Sequence, residues 1–235
     1  MTTDPILNPT IEVGSFVWME PVTTLTDFLV AIVCWVSYFL ITRINNPGSE
    51  AFPWFKRYFL IFAIGMTSAA WLGHGLQAYV TPEFKAIGWI CGATGLMFLQ
   101  FGSFQLIKSN LKPGLRKALQ VVFVAQWLTA VGFMLYRLNI GIVEAFKVTQ
   151  INSVVALIVL VLPMHIYAYK VVKISGSKLV IGALAYSAIP GLVYSNQISI
   201  SRWFNYHDIS HVLMAIFMSF MFYGLYSIVA ASPES

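Results

Sequence analysis

Long apolar runs alternate with short polar connections along this chain, and each run is about as long as a helix that crosses a bilayer. Spanning the hydrocarbon takes about 20 apolar residues in an α-helix. Runs at roughly 22–43, 55–79, 84–107, 115–136, 148–171, 178–197 and 207–231 meet that length, so the pattern predicts seven transmembrane helices. Turn-forming residues mark the connections: Asn46-Pro47-Gly48, Thr81-Pro82-Glu83, Lys112-Pro113-Gly114 and Ser175-Gly176-Ser177. The runs are continuously apolar rather than alternating, which argues against a β-barrel. The fifth is the least uniform, opening on Glu144 and Lys147 and containing Gln150 and Asn152, so its outer end is expected to face protein or water. No stretch is left for a soluble domain. The expected fold is an all-α membrane protein, a single seven-transmembrane helix bundle over residues 1–235.

Composition agrees with that pattern. The chain is 58% hydrophobic and 10% charged, with a mean hydropathy of +0.76, whereas a soluble domain carries about 25% charged residues. The net charge of +5 is unevenly placed. Arg43, Lys56 and Arg57 flank the first connection, Lys108, Lys112, Arg116 and Lys117 the third, and Lys170, Lys173 and Lys178 the fifth. Only Glu50 opposes them there. By the positive-inside rule these loops are cytoplasmic. The amino terminus, with Asp4, Glu12, Glu20 and Asp27 and no basic residue before Arg43, is expected outside, and the carboxyl tail inside. The expected location is therefore an integral, multi-pass one, in the plasma or inner membrane, or in the ER or Golgi of a eukaryote. No cleavable leader is expected, since the first residues lack a basic region and the first run is long enough to span. The cytoplasmic loops account for the positive charge, so no nucleic-acid partner is expected.

Ionisable side chains inside a span cost several kcal/mol unless paired or hydrated, which makes each a functional candidate. With the orientation above, Glu20 stands at the mouth of the first helix and Asp27 two turns in. His74 comes near the outer end of the second helix, and His207, Asp208 and His211 open the seventh. Three sequence-distant helices thus deliver three histidines and three carboxylates to one leaflet. His207 and His211 are four apart and share a helix face. Three neutral imidazoles plus a water form the open coordination of a catalytic zinc site, so His74, His207 and His211 are the candidate metal ligands and Zn the candidate cofactor. Asp208 and Asp27 are candidate catalytic carboxylates that would orient imidazoles or manage protons. In a variant set, within Asn205-Tyr206-His207-Asp208, Asp208 rather than His207 meets the metal. Glu20, Asn205 and Thr67 are expected to support the site from behind. Blander readings stand beside these: an HxxxH pair can be a hydrogen-bonded helix start, and Glu20 and Asp27 can cap the first helix, where Pro21 suits the first position.

Other polar or unusual residues read as structural. His165, in Leu162-Pro163-Met164-His165, lies toward the cytoplasmic end with no evident partner and is expected to be packed or interfacial. Cys34 and Cys91 are expected to pack rather than react. Gly88, Gly92 and Gly95 would allow close helix approach, and Met214, Met218 and Met221 fill a helix face. Gln100, Gln126 and Gln197 do not obviously form a polar path to the cytoplasm.

The arrangement resembles the alkaline ceramidases, part of a wider hydrolase-like superfamily that includes the progestin and adipoQ receptors. Three local matches carry it: the window from Glu20 to Asp27, the run Gly65-Met66-Thr67-Ser68 leading to His74, and the pair His207 and His211. The resemblance implies seven helices with an outside amino terminus, zinc on the three histidines, and hydrolysis of the amide of ceramide-type lipids. The chain departs from that pattern at Ala70, where a serine is expected one turn before His74. It also lacks an evident aspartate opening the third helix, the closest carboxylate being Glu83.

The leading functional expectation is a zinc-dependent integral-membrane hydrolase acting on a lipid amide or ester, with the membrane lipid entering sideways from the outer leaflet. The competing classes are a non-catalytic receptor or proton- or ligand-binding protein, and a structural or accessory subunit of an oligomer or larger complex.

Overall fold

The computed structural model describes residues 9–45 and 48–231. Asp4, the pair Asn46-Pro47 and the end of the carboxyl tail, named above for charge, turn and orientation, lie outside the described residues. The chain opens on an antiparallel hairpin, β1 (Thr10–Val13) and β2 (Phe16–Met19), with Thr10 opposite Met19 and Val13 opposite Phe16. Gly14 at its turn has φ 60, a conformation glycine adopts without a Cβ penalty. Helices follow: α1 (Pro21–Thr42), α2 (Phe52–Ser68), α3 (Lys85–Gln105), α4 (Pro113–Leu138), α5 (Ile142–Val154), α6 (Leu162–Tyr167), α7 (Ser177–Tyr186), α8 (Ala188–Ser195) and α9 (Tyr206–Ala230).

Among the described residues, six helical stretches are long and apolar enough to cross a membrane. They are Pro21–Thr42, Pro82–Gln105, Pro113–Leu138, Ile142–Val172, Ser177–Ser195 and Tyr206–Ala230, so the protein is a helical, multi-pass membrane protein. The stretch around α2 is not among these. Its α-helical part has 17 residues and continues as a seven-residue π-helix, Ala69–Gly75, in which Leu76 N–H reaches back five residues to Trp71 O at 2.8 Å.

Proline explains two other irregularities. Pro163 has no N–H to give to the preceding turn, and the backbone before it, Val155–Val161, widens to π geometry, as does Ala168–Val172 after α6. The fifth helix begins at Ile142, ahead of the expected 148, because Gly141 rather than the polar residues ends the preceding turn. Pro190 likewise cannot donate to Tyr186, and α7 ends there, with α8 resuming at Ala188.

The core lies between α1, α2, α3, α7 and α9. Glycine lets α3 approach α2: a Cβ on Gly95 would stand 2.3 Å from the Phe62 ring, and one on Gly102 2.3 Å from the Phe55 ring. Gly92 differs from expectation, since no atom lies within 4 Å of the place its Cβ would take. Cys34 and Cys91 are both free thiols. Met218 and Met221 are fully buried, and Tyr58 donates to Met218 Sδ at 3.3 Å. At the periphery, α4 packs on α3 and α5, and only 11% of its apolar stretch is buried, leaving most of its surface for lipid or another chain.

Candidate functional site

The start of α1, the π-helical end of α2 and the start of α9 meet at one end of the bundle. The contact with α2 is close because Gly75 has no side chain: a Cβ there would stand 3.3 Å from Thr24 and 3.2 Å from Ala70 O. The π turn and this approach set His74 against α1.

Glu20 occupies the residue before α1, at φ 45 and ψ 53. It makes no side-chain cap, which sets aside the helix-cap reading. Its backbone carbonyl instead accepts from Thr24 N at 2.9 Å and Thr24 Oγ1 at 3.0 Å. Its carboxylate pairs with His74 Nδ1. Burial pushes this carboxyl up, but the charge and hydrogen bond of His74 outweigh it, with Lys85 and His207 adding their pull, and the pKa falls from 4.5 to about 2.

Asp27 is almost fully buried. Its Oδ1 lies 3.3 Å from His211 Nδ1 and its Oδ2 lies 3.6 Å from His74 Nε2. Thr26 gives its hydroxyl hydrogen to Thr23 O at 3.0 Å, so it can only accept from His211 Nδ1, 3.3 Å away. His211 therefore carries its proton on Nδ1, directed at Asp27 and Thr26, and its Nε2 lone pair is free. His74 gives Nδ1–H to Glu20; its Nε2 offers a lone pair while the ring is neutral and an N–H when the ring carries the charge that draws the Glu20 carboxyl down. Each imidazole is thus oriented by a carboxylate at Nδ1, the arrangement that commonly stands behind a metal-bound histidine. The two rings lie 6.2 Å apart between centroids.

One consequence is an electrostatic mismatch. While His74 is neutral, its Nε2 and Asp27 Oδ2 both present lone pairs across 3.6 Å, and Asp27 Oδ2 is buried without a hydrogen-bond partner. A proton on His74 or a cation would relieve it. Two ligands held about 2.0–2.1 Å from a tetrahedral zinc stand roughly 3.3 Å apart, and of the spacings at Asp27 only His74 Nε2 to Oδ2, at 3.6 Å, lies between two atoms that could both be ligands. The donor types are those zinc takes, imidazole nitrogen and carboxylate oxygen. Still, among the described residues no group of three or more His, Cys, Asp or Glu side chains is gathered into a ready metal-holding set.

The remaining expected residues fall in different places. His207 lies tilted against Tyr206 and edge-on to Tyr194, with centroids at 4.2 and 5.2 Å, and is not gathered with His74 and His211 into a metal-holding set. Asp208 is fully buried and both its oxygens are used: Oδ1 accepts from Thr23 at 2.7 Å and Oδ2 from Asn205 N at 2.7 Å. Asn205 Oδ1 in turn accepts from His207 N at 2.8 Å, completing a capping box. Asp208 thus fixes the start of α9, and in the variant ligand set a metal would share oxygens that already accept these bonds. Thr67 donates to Ala63 O at 2.7 Å and accepts from Trp35 Nε1 at 3.2 Å, and has no bond to His74. Glu83 is exposed in the turn before α3.

Three contributors were not expected from sequence. Thr23 and Thr26 on α1 hold Asp208 and His211. Lys85, at the start of α3, places a cation close enough to act on Glu20. The hairpin also covers this end: Trp18 Nε1 donates to Thr24 Oγ1 at 3.4 Å, and Tyr79 bonds Val17 N and Ser15 O while stacking on Phe16. Away from the site, His165 has the partners that the sequence did not reveal, with Nε2 3.0 Å from Ser103 and Nδ1 3.2 Å from Ser177. Gln100, Gln126 and Asn152 form a second polar ladder across α3, α4 and α5, with Gln100 donating to Gln126 at 2.7 Å and Gln126 to Asn152 Oδ1 at 3.0 Å.

Buried imidazoles and carboxylates at one end of apolar helices define a membrane protein with a polar site set into its bundle. Within that class the chain belongs to the family of unknown function DUF6962, whose model matches residues 22–229. No curated protein and no solved structure matches it.

Proposed function

We propose that this protein is an integral-membrane, zinc-dependent hydrolase of a lipid amide or ester, similar in site design to the alkaline ceramidases. The full reading has seven spans, with the segment from α2 through its π turn as the additional one. The amino terminus lies outside, and the site lies under the outer leaflet of a plasma, inner or organelle membrane. The observation that carries it is the pair His74 and His211, each held at Nδ1 by its own carboxylate, with Asp27 Oδ2 buried and unpartnered between them.

His74 and His211 would hold the ion through Nε2, joined by His207 after its ring leaves Tyr206, or by Asp27. When bound, zinc makes water more acidic and polarises a carbonyl. The chain's own residues set the rest. Glu20 and Asp27 fix the imidazole tautomers, and Asp27 accepts a proton released beside it. The hairpin around Trp18 limits water at the site, and Lys85 offers a positive charge to an anionic part of a substrate.

A second reading rests on the same 3.6 Å gap. If a proton on His74 closes it, the site is a metal-free charge network suited to binding a ligand or taking up a proton in a receptor or accessory subunit.

Metal analysis of the detergent-purified protein separates the two. The hydrolase reading expects about one zinc per chain, lost in His74→Ala and His211→Ala, together with release of fatty acid from ceramide-type lipids. Folded protein free of metal and inert toward lipid amides and esters overturns it in favour of the second.

A further inference from the structure

The other end of the bundle holds a cavity that the His–carboxylate site does not use. Its volume is about 550 Å³, within the range of small-molecule sites. Three connections and the end of α9 line it, leaving one side open: Ser49 and Glu50 before α2, Lys108 and Ser109 after α3, Lys173 to Gly176 before α7, and Ser227 and Ile228. These are the connections in which the basic residues concentrate.

The walls combine charge, hydroxyls and an apolar floor. Lys108 pairs with Glu50, which leaves Lys173, among the described residues, as the cavity's uncompensated charge. Lys173 sits at φ 68, a left-handed conformation that glycine or asparagine normally takes. It ends the helical stretch Ala168–Val172, with Ile174 N reaching back to Ala168 O at 3.0 Å, and so turns the chain at the cavity wall. Gln105 Oε1 is buried without a partner at the cavity wall. Its amide offers an acceptor or, turned over, an N–H donor. Leu106 and Ile228, both buried, form the floor. The wall is also fixed in place, because a Cβ on Gly176 would stand 2.4 Å from Ser227 Oγ and 2.7 Å from Ile228 Cγ1.

We propose that this cavity binds a phosphate-bearing ligand, with Lys173 and Lys108 on the phosphate oxygens and the apolar floor under its organic part. Two lysines and several hydroxyls suit a phosphate monoester, which accepts many charge-assisted hydrogen bonds. Glu50 competes with the ligand for Lys108. The phosphate is either the headgroup of an anionic lipid or a free phosphate compound, and both present the same chemistry to these side chains. This inference does not rest on the hydrolase reading.

The test uses the full chain in detergent, titrated with inorganic phosphate while its unfolding temperature is followed. In parallel, the protein is exposed to phosphatidylcholine vesicles with and without phosphatidic acid, and retained lipid is read by native mass spectrometry. A saturable response that Lys173→Ala and Lys108→Ala each weaken about tenfold is expected, that being the worth of one charge-assisted bond. Glu50→Gln is expected to tighten binding, a gain that a misfolded variant does not produce. A response to inorganic phosphate without preference for phosphatidic acid assigns a free phosphate compound. Selective retention of phosphatidic acid, with no response to inorganic phosphate, assigns a lipid headgroup. The proposal is overturned if neither probe binds, if Glu50→Gln has no effect, or if Lys170→Ala, an exposed residue outside the cavity, weakens binding as much.

Discussion

Thr23 on α1 donates its hydroxyl hydrogen to Asp208 on α9 at 2.7 Å, closing 185 residues of chain with one buried bond. The same carboxylate receives Asn205 N, so one side chain both starts α9 and ties it to α1. His211 lies on the next turn, and its aim at Asp27 depends on this anchor.

Asp208→Ala strands the Thr23 hydroxyl and the Asn205 N–H. It is expected to cost about 2–3 kcal/mol, the sum of a lost cap and an unsatisfied buried donor. Unfolding in detergent micelles measures the loss. A double-mutant cycle with Thr23→Val should show coupling of about 1 kcal/mol or more. Additive effects would mean the two side chains do not act through each other.

Acid stability should report on Glu20. Its pKa is lowered from 4.5 to about 2 in the folded chain. A depressed carboxylate stabilises the fold fully above its unfolded value, and the contribution disappears as pH falls through the folded one. The protein is therefore expected to lose stability between about pH 4.5 and 2, by on the order of a few kcal/mol. Glu20→Gln, which cannot titrate, should flatten this limb. An unchanged acid limb in the variant would show that the His74 pairing contributes nothing.

His165 is fully buried between Ser103 and Ser177, and it should behave as a structural residue. His165→Ala leaves a cavity and an unpaired Ser177 hydroxyl, while Ser103 keeps its bond to Leu99 O, with an expected cost of about 2–4 kcal/mol. Metal content and lipid hydrolysis per folded molecule should stay at the wild-type level. A loss of either, out of proportion to folding, would place His165 in the chemistry.

Glycines on α3 should divide by what they face. Gly102→Ala pushes a methyl group into the buried Phe55 ring, and overpacking of this kind costs about 1–3 kcal/mol. Gly92→Ala meets open space and should be neutral or stabilising by up to about 1 kcal/mol through helix propensity. Thermal unfolding of the pair side by side reads the difference directly.

Apolar run length makes most helices legible, since a bilayer fixes how long a span must be. The ends of α1 and α9 fall within a residue of the pattern. Depth along the helices is also enough to bring Glu20, Asp27, His74 and His211 to one place from sequence alone. Other features are hidden for physical reasons. The hairpin from Thr10 to Met19 has short, mostly exposed strands, so it lacks the one-sided burial that makes alternation visible. Ser103 and Ser177 find His165 only through tertiary packing, which no local spacing encodes. The role of Asp208 is readable in principle, because Asn205 three residues ahead of an acid is a capping signature. Its position between two histidines points to chemistry instead.

The widened turn at the end of α2 makes the site a matter of phase. A π turn carries one residue more than the α turn it replaces. Winding the same residues, Ala69 to Gly75, at ordinary α pitch would carry everything beyond the turn round by about 100°. His74 would swing away from Asp27 with hydropathy and length unchanged. Chains that wind this one turn differently would be nearly indistinguishable in composition yet differ in whether the pocket assembles at all.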